Sequence, residues 1–141
     1  MKKTSLLIAT LLTALYFNSA SASEPTVYDQ LGGEPVITKV VDDLINNVTH
    51  DNRISAIFAT TNLPHLKKML VEQICNITGG PCTYTGKNMP DAHKGMNLKS
   101  ADFNALVEDL QIAFRQNNVP LGAQNKLLAI LAPMKPDVDH K

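Results

Sequence analysis

The chain has 141 residues, a formal net charge of zero, no Trp, and aromatics at only 5%. One domain is the natural size for this length. No Arg or Lys clusters with aromatics, which argues against nucleic acid as a partner, and the core must be built from aliphatic side chains.

The first 22 residues read as a leader: basic Lys2-Lys3, an apolar run from Leu6 to Phe17, and the small-residue pattern Ala20-Ser21-Ala22. The run is shorter than the ~20 apolar residues that span a bilayer. The expectation is a cleaved secretory signal peptide over 1–22 and an exported domain over 23–141 in a bacterial periplasm, with no stable membrane insertion after cleavage.

Tyr28 to Leu31 reads as a single turn closed by Gly32-Gly33. Glu34-Pro35 opens a helix, with Pro in its first turn. Val36, Ile37, Val40, Val41, Leu44, Ile45 and Val48 form one helical stripe, with Asp42, Asp43, Asn46 and Asn47 opposite. This helix is expected to end near Thr49. Arg53 to Phe58 forms a short turn, one or two turns of helix. Asn62 caps a second helix that admits Pro64 in its first turn and runs to about Ile77. Leu66, Met69, Leu70 and Ile74 make its apolar face, with Lys67, Lys68 and Glu72 outward. Gly79-Gly80 end it.

Residues 79–95 follow, rich in Gly, Pro and Thr, and they contain His93. Ser100 is expected to cap a third helix, with Asp102 in its first turn and Phe103, Leu106, Val107, Leu110, Ala113 and Phe114 on its buried face. Asn117-Asn118 end it. The last helix carries Leu127, Leu128, Ile130, Leu131 and Met134, with Pro133 near its end, and the tail from Lys135 is polar. The chain is therefore expected to be all-α, with two helices before a long loop and two after. A loop of that length in a compact domain is usually functional, and two helices above and two below can sandwich a flat ligand.

The four His (His50, His65, His93 and His140) lie in separate segments. No HExxH or paired CxxC pattern occurs, which argues against a structural zinc site. Cys75 and Cys82 are not followed by the His of a CxxCH haem attachment. In an oxidising compartment they can pair, and two separate buried thiols are the alternative. A Cys nucleophile would want a Gly-rich elbow that neither Cys has. A lone His on a short element between helices is one way to present imidazole to a haem iron; an incidental surface His, within a plain helical interaction module, is the other reading.

Several motifs, taken together in order and spacing, resemble the group 1 truncated haemoglobins. They are Tyr28-Asp29-x-Leu31-Gly32-Gly33, Phe58, Gly79-Gly80-Pro81, Tyr84-Thr85-Gly86, Met89-x-x-x-His93 and Ile130-Leu131-Ala132-Pro133. The resemblance covers about Val27 to Val138. It implies a two-over-two helical sandwich around haem b, with His93 as the proximal iron ligand. By the same resemblance Phe58 packs on the haem face, Leu44 and Ile45 occupy distal positions, and Leu66, Met69, Leu70, Gln73 and Ile74 form the distal helix face. Met89, Met96, Leu98 and Phe103 match the proximal wall, and Thr61, Tyr84 and Lys87 match positions near the haem edge.

The chain departs from the family where many members carry Tyr at Ile45 and Gln at Leu70. Ile45, Leu66 and Leu70 donate no hydrogen bond to a polar ligand, and Gln73 is the polar candidate left on that helix. The resemblance implies binding of oxygen or other diatomic gases (NO, CO), leaving open an activity of NO dioxygenase or redox type. The alternative is a periplasmic redox protein with its own partner protein, in which Met69 is a sixth iron ligand, because some relatives place an iron-binding His or Lys at that position.

Overall fold

The computed structural model describes residues 23–139; the expected leader and His140 lie outside them. The described residues form α1 (Val27–Leu31), α2 (Gly33–His50), α3 (Ser55–Phe58), α4 (Leu63–Ile77), α5 (Met89–His93), α6 (Ser100–Gln116), α7 (Leu121–Leu131), a 3₁₀ turn (Ala132–Met134) and α8 (Lys135–Val138). No strand occurs among them, and none of these helices is long and apolar enough to cross a membrane.

Each boundary has a local cause. Thr26 and Asp29 cap α1 reciprocally: the Asp29 N–H donates to the Thr26 hydroxyl and the Thr26 N–H to the Asp29 carboxylate. Gly32 then turns the chain into α2 at φ 97°, where a Cβ would lie 2.6 Å from Val36 Cγ2; the turn requires glycine. As expected, Asn62 caps α4, its Oδ1 accepting the His65 N–H at 3.1 Å. The start of α6 differs from expectation. Asp102 accepts the Lys99 N–H at 2.8 Å, so Lys99 takes the cap position and Ser100 is the first helical residue. The freed Ser100 hydroxyl donates to Asp139. The polar tail also folds, into α8, because Lys135 ion-pairs with Asp139 four residues on. Pro133 and Pro136 cannot donate to a continuing α7, so the chain tightens through the 3₁₀ turn first.

The long helices α2, α4, α6 and α7 stack two over two, with α2 at the centre of the packing. Helix α2 packs on both α4 and α6, α1 packs on α7, and α8 packs on α5. The core between the layers is aliphatic around one aromatic: Val41, Val48, Ile54 and Leu127 surround Phe114, all essentially without solvent contact. This core is continuous with the site, since Val48 and Ile54 also line its cavity.

Candidate functional site

The expected site residues all line one cavity of about 490 Å³, within the ~300–1,000 Å³ of cofactor sites. Leu44 and Ile45 come from α2. Phe58 and Thr61 come from α3 and its exit, and Leu66, Met69, Leu70 and Ile74 from α4. Tyr84 and Lys87 belong to the long loop, Met89 and His93 to α5, Met96 and Leu98 to the link beyond it, and Phe103 to α6.

The polar lining residues divide into two groups. Thr61, Asn62, His65 and Lys87 are exposed and mark the mouth. Gln73, Tyr84 and Asp102 are already engaged. The Tyr84 hydroxyl donates to the Lys87 carbonyl at 2.6 Å. Its proton is held more tightly than usual, by burial first and by the Glu72 charge second. Gln73 Nε2 donates to the Met89 sulfur at 3.4 Å, which ties α4 to α5 across the cavity edge. The interior of the cavity is thus apolar and its rim polar.

His93 Nδ1 lies 2.8 Å from the Met89 carbonyl oxygen. A carbonyl can only accept, so Nδ1 carries the proton, and the neutral ring then has its lone pair on Nε2. The ring is half-buried against the cavity. Asn88 builds the short helix that carries it, its Oδ1 accepting the Asp91 N–H at 2.9 Å, with Pro90 in the first turn.

The loop leading to α5 is lashed to the last turns of α4. Cys75 and Cys82 form a disulfide with Cα atoms 5.7 Å apart, the pairing that the sequence left open. Glu72 was expected to face outward. It instead accepts both the Thr85 N–H at 3.0 Å and the Thr85 hydroxyl at 2.6 Å. These bonds hold its carboxyl below the usual carboxylate range. Asn76 Nδ2 donates to the Cys82 carbonyl at 3.0 Å.

Other lining residues did not stand out in the sequence. Ile54 and Ile57 line the cavity beside Phe58, from the short segment expected to form one or two turns of helix. Met134 and Val138 reach the cavity through the 3₁₀ turn and α8, which the polar tail did not announce.

A model of the bacterial-like globin family matches residues 26–140. The group 1 truncated hemoglobin of Tetrahymena pyriformis is 32% identical over 113 residues, covering 80% of this chain and 93% of its own. That of Mycolicibacterium paratuberculosis is 30% identical over 117 residues, covering 83% and 86%. The chain belongs to the group 1 truncated haemoglobins. The crystal structure of the Tetrahymena pyriformis protein in its Fe(III) form matches with a TM-score of 0.80, covering 83% of this chain and 100% of that one.

The cofactor of this truncated haemoglobin is haem b, and the cavity fits it on its own chemistry. An apolar interior suits the porphyrin plane, the exposed Thr61 and Lys87 at the rim suit its charged edge, and an imidazole with a free lone pair suits iron. Once bound, the haem would supply an iron centre. The chain supplies the walls, the imidazole and the fixed loop that carries it.

Proposed function

We propose that His93 ligates the haem iron through Nε2 and that the protein binds diatomic gases on the α2–α4 side of the cavity, with CO and NO favoured over O₂. The observation that carries this reading is the composition of that wall. Leu44, Ile45, Leu66, Met69, Leu70 and Ile74 line it, and none has a side-chain hydrogen-bond donor. Bound oxygen draws more negative charge than bound CO, so a wall without donors costs oxygen affinity most. A hydrogen bond to a charged group contributes roughly 1.5–3 kcal/mol, about ten- to a hundredfold in dissociation rate. Of the polar α4 residues at the cavity, Gln73 directs its amide to Met89 and His65 lies exposed at the mouth.

Export to the periplasm belongs to the same reading. The Cys75–Cys82 disulfide supports it, since such bonds persist in oxidising compartments. The redox reading with Met69 as an internal ligand has one observation of its own. The Met69 thioether lines the cavity and accepts no hydrogen bond among the described residues, whereas the Met89 thioether does.

Titration of the ferrous, haem-loaded protein with CO and with O₂ tests the proposal. Saturable binding of both, with a CO to O₂ affinity ratio that falls when a donor is introduced into the wall, is expected. A ferrous spectrum that CO leaves unmoved overturns it.

A further inference from the structure

We propose that the Cys75–Cys82 disulfide is a redox-cleavable tether that sets how firmly the His93 loop, and with it the haem, is held. The inference rests on the reading of His93 as the iron ligand.

The attachments of the loop converge on one stretch of α4. Glu72 holds Thr85 by two hydrogen bonds, Gln73 holds Met89, Asn76 holds the Cys82 carbonyl, and Cys75 is bonded to Cys82. Asn76 and Cys75 grip the loop at the same residue, Cys82. Tyr84, Lys87 and Met89 follow directly and line the cavity, and Met89 orients the His93 ring. Helix α4 also supplies Leu66, Met69 and Leu70 to the gas side. The disulfide thus joins the two walls covalently, and the remaining grips are hydrogen bonds, with the Glu72 carboxylate and Thr85 at the surface.

The two sulfurs differ in access. Cys75 is 0% exposed, and the backbone at Gly80 lies over it: a Cβ built there would be 2.7 Å from Cys75 Sγ. Cys82 is half-exposed in the loop. A dithiol reductant therefore attacks Cys82 Sγ as its thiolate. The S–S bond breaks and Cys75 leaves as a thiolate that takes up a proton. The second thiol of the reductant then displaces Cys82, which also takes up a proton, and the reductant becomes a cyclic disulfide. The protein gains two electrons and two protons, and the dithiol loses both. With the cross-link gone, Cys82 is held by the Asn76 hydrogen bond alone.

The test is haem transfer from the full chain to excess apomyoglobin, followed optically. Oxidised wild-type protein is compared with protein treated with dithiothreitol, freed of it anaerobically and titrated for thiols. Cys75→Ser/Cys82→Ser serves as a permanently open form. Transfer faster by about tenfold or more is expected in both open forms, the range over which outer supports of a metal ligand act. The iron–histidine stretching band of the ferrous protein is expected to broaden, and dithiothreitol should add nothing in the serine variant. If the double variant does not fold, the treated wild type carries the test alone. An unchanged transfer rate with two thiols titrated overturns the tether, and so does a disulfide that yields no thiols to the dithiol. Oxidised protein that takes up no haem overturns the haem-ligand reading and the tether together.

Discussion

Glu72 on α4 accepts two hydrogen bonds from Thr85, one from its N–H and one from its hydroxyl. The helix that forms one wall of the cavity thereby also fixes the loop that leads to His93. Both sides of the cavity answer to α4, and changes on that helix separate the roles of its residues.

Leu70 occupies the gas-facing wall without a donor. Leu70→Gln adds an amide at that point. Oxygen dissociation measured by stopped flow should slow by roughly ten- to a hundredfold, the effect of a hydrogen bond of about 1.5–3 kcal/mol, while CO dissociation changes little. An unchanged oxygen off-rate contradicts the apolar-wall explanation.

Met69 tests whether the iron is closed from within. As a wall residue, Met69→Leu conserves volume, costs less than about 1.5 kcal/mol of stability and leaves the ferrous absorption spectrum as it was. A six-coordinate low-spin spectrum in the wild type that is lost in the variant would instead make Met69 a ligand, and the redox reading would take precedence.

Asp109 on α6 is 4% exposed, and its Oδ2 has no partner that donates to it among the described residues. Its pKa is raised, by burial first and by the Asp51 charge next. Asp51 is lowered, chiefly by its hydrogen bonds with Arg53. Since the folded state holds the Asp109 proton more tightly than the unfolded chain, this group costs stability as pH rises from about 3.8, the ordinary value of this carboxyl, through its raised pKa. Asp51 acts in the opposite sense: its stabilisation is present above that value and lost as pH falls through its lowered pKa. Asp109→Asn removes the titration. Its melting temperature should match the wild type in acid and exceed it near neutrality, where a gain of roughly 1 kcal/mol is worth about 4 °C in a domain of this size. A difference independent of pH contradicts the raised pKa of Asp109.

The helices were legible in the sequence because each rests on local rules, and the cavity lining was legible through the resemblance to the truncated haemoglobins. The stripe from Val36 to Val48 on α2 and the cap at Asn62 need no knowledge of the rest of the chain. The apolar character of Ile45, Leu66 and Leu70 was equally plain. The grips on the loop were not legible. Glu72 read as an outward charge because helical periodicity says nothing about a loop that returns thirteen residues later to bond it. Gln73 read as a donor toward the ligand or toward solvent, because its partner Met89 lies on another element. Ser100 lost the cap to Lys99 because Asp102 stands three residues after Lys99, and its hydroxyl went to a tail that had read as merely polar. For Glu72 and Gln73 the deciding contact is with a segment distant in sequence.

The measurement that bears most directly on the site is the ferrous spectrum of His93→Gly with and without added imidazole. His93 as the ligand requires the variant to lose the wild-type Soret band or its haem, and free imidazole, filling the space left by the ring, to restore the band. A variant that retains the wild-type Soret band and haem affinity without imidazole would show that another residue holds the iron.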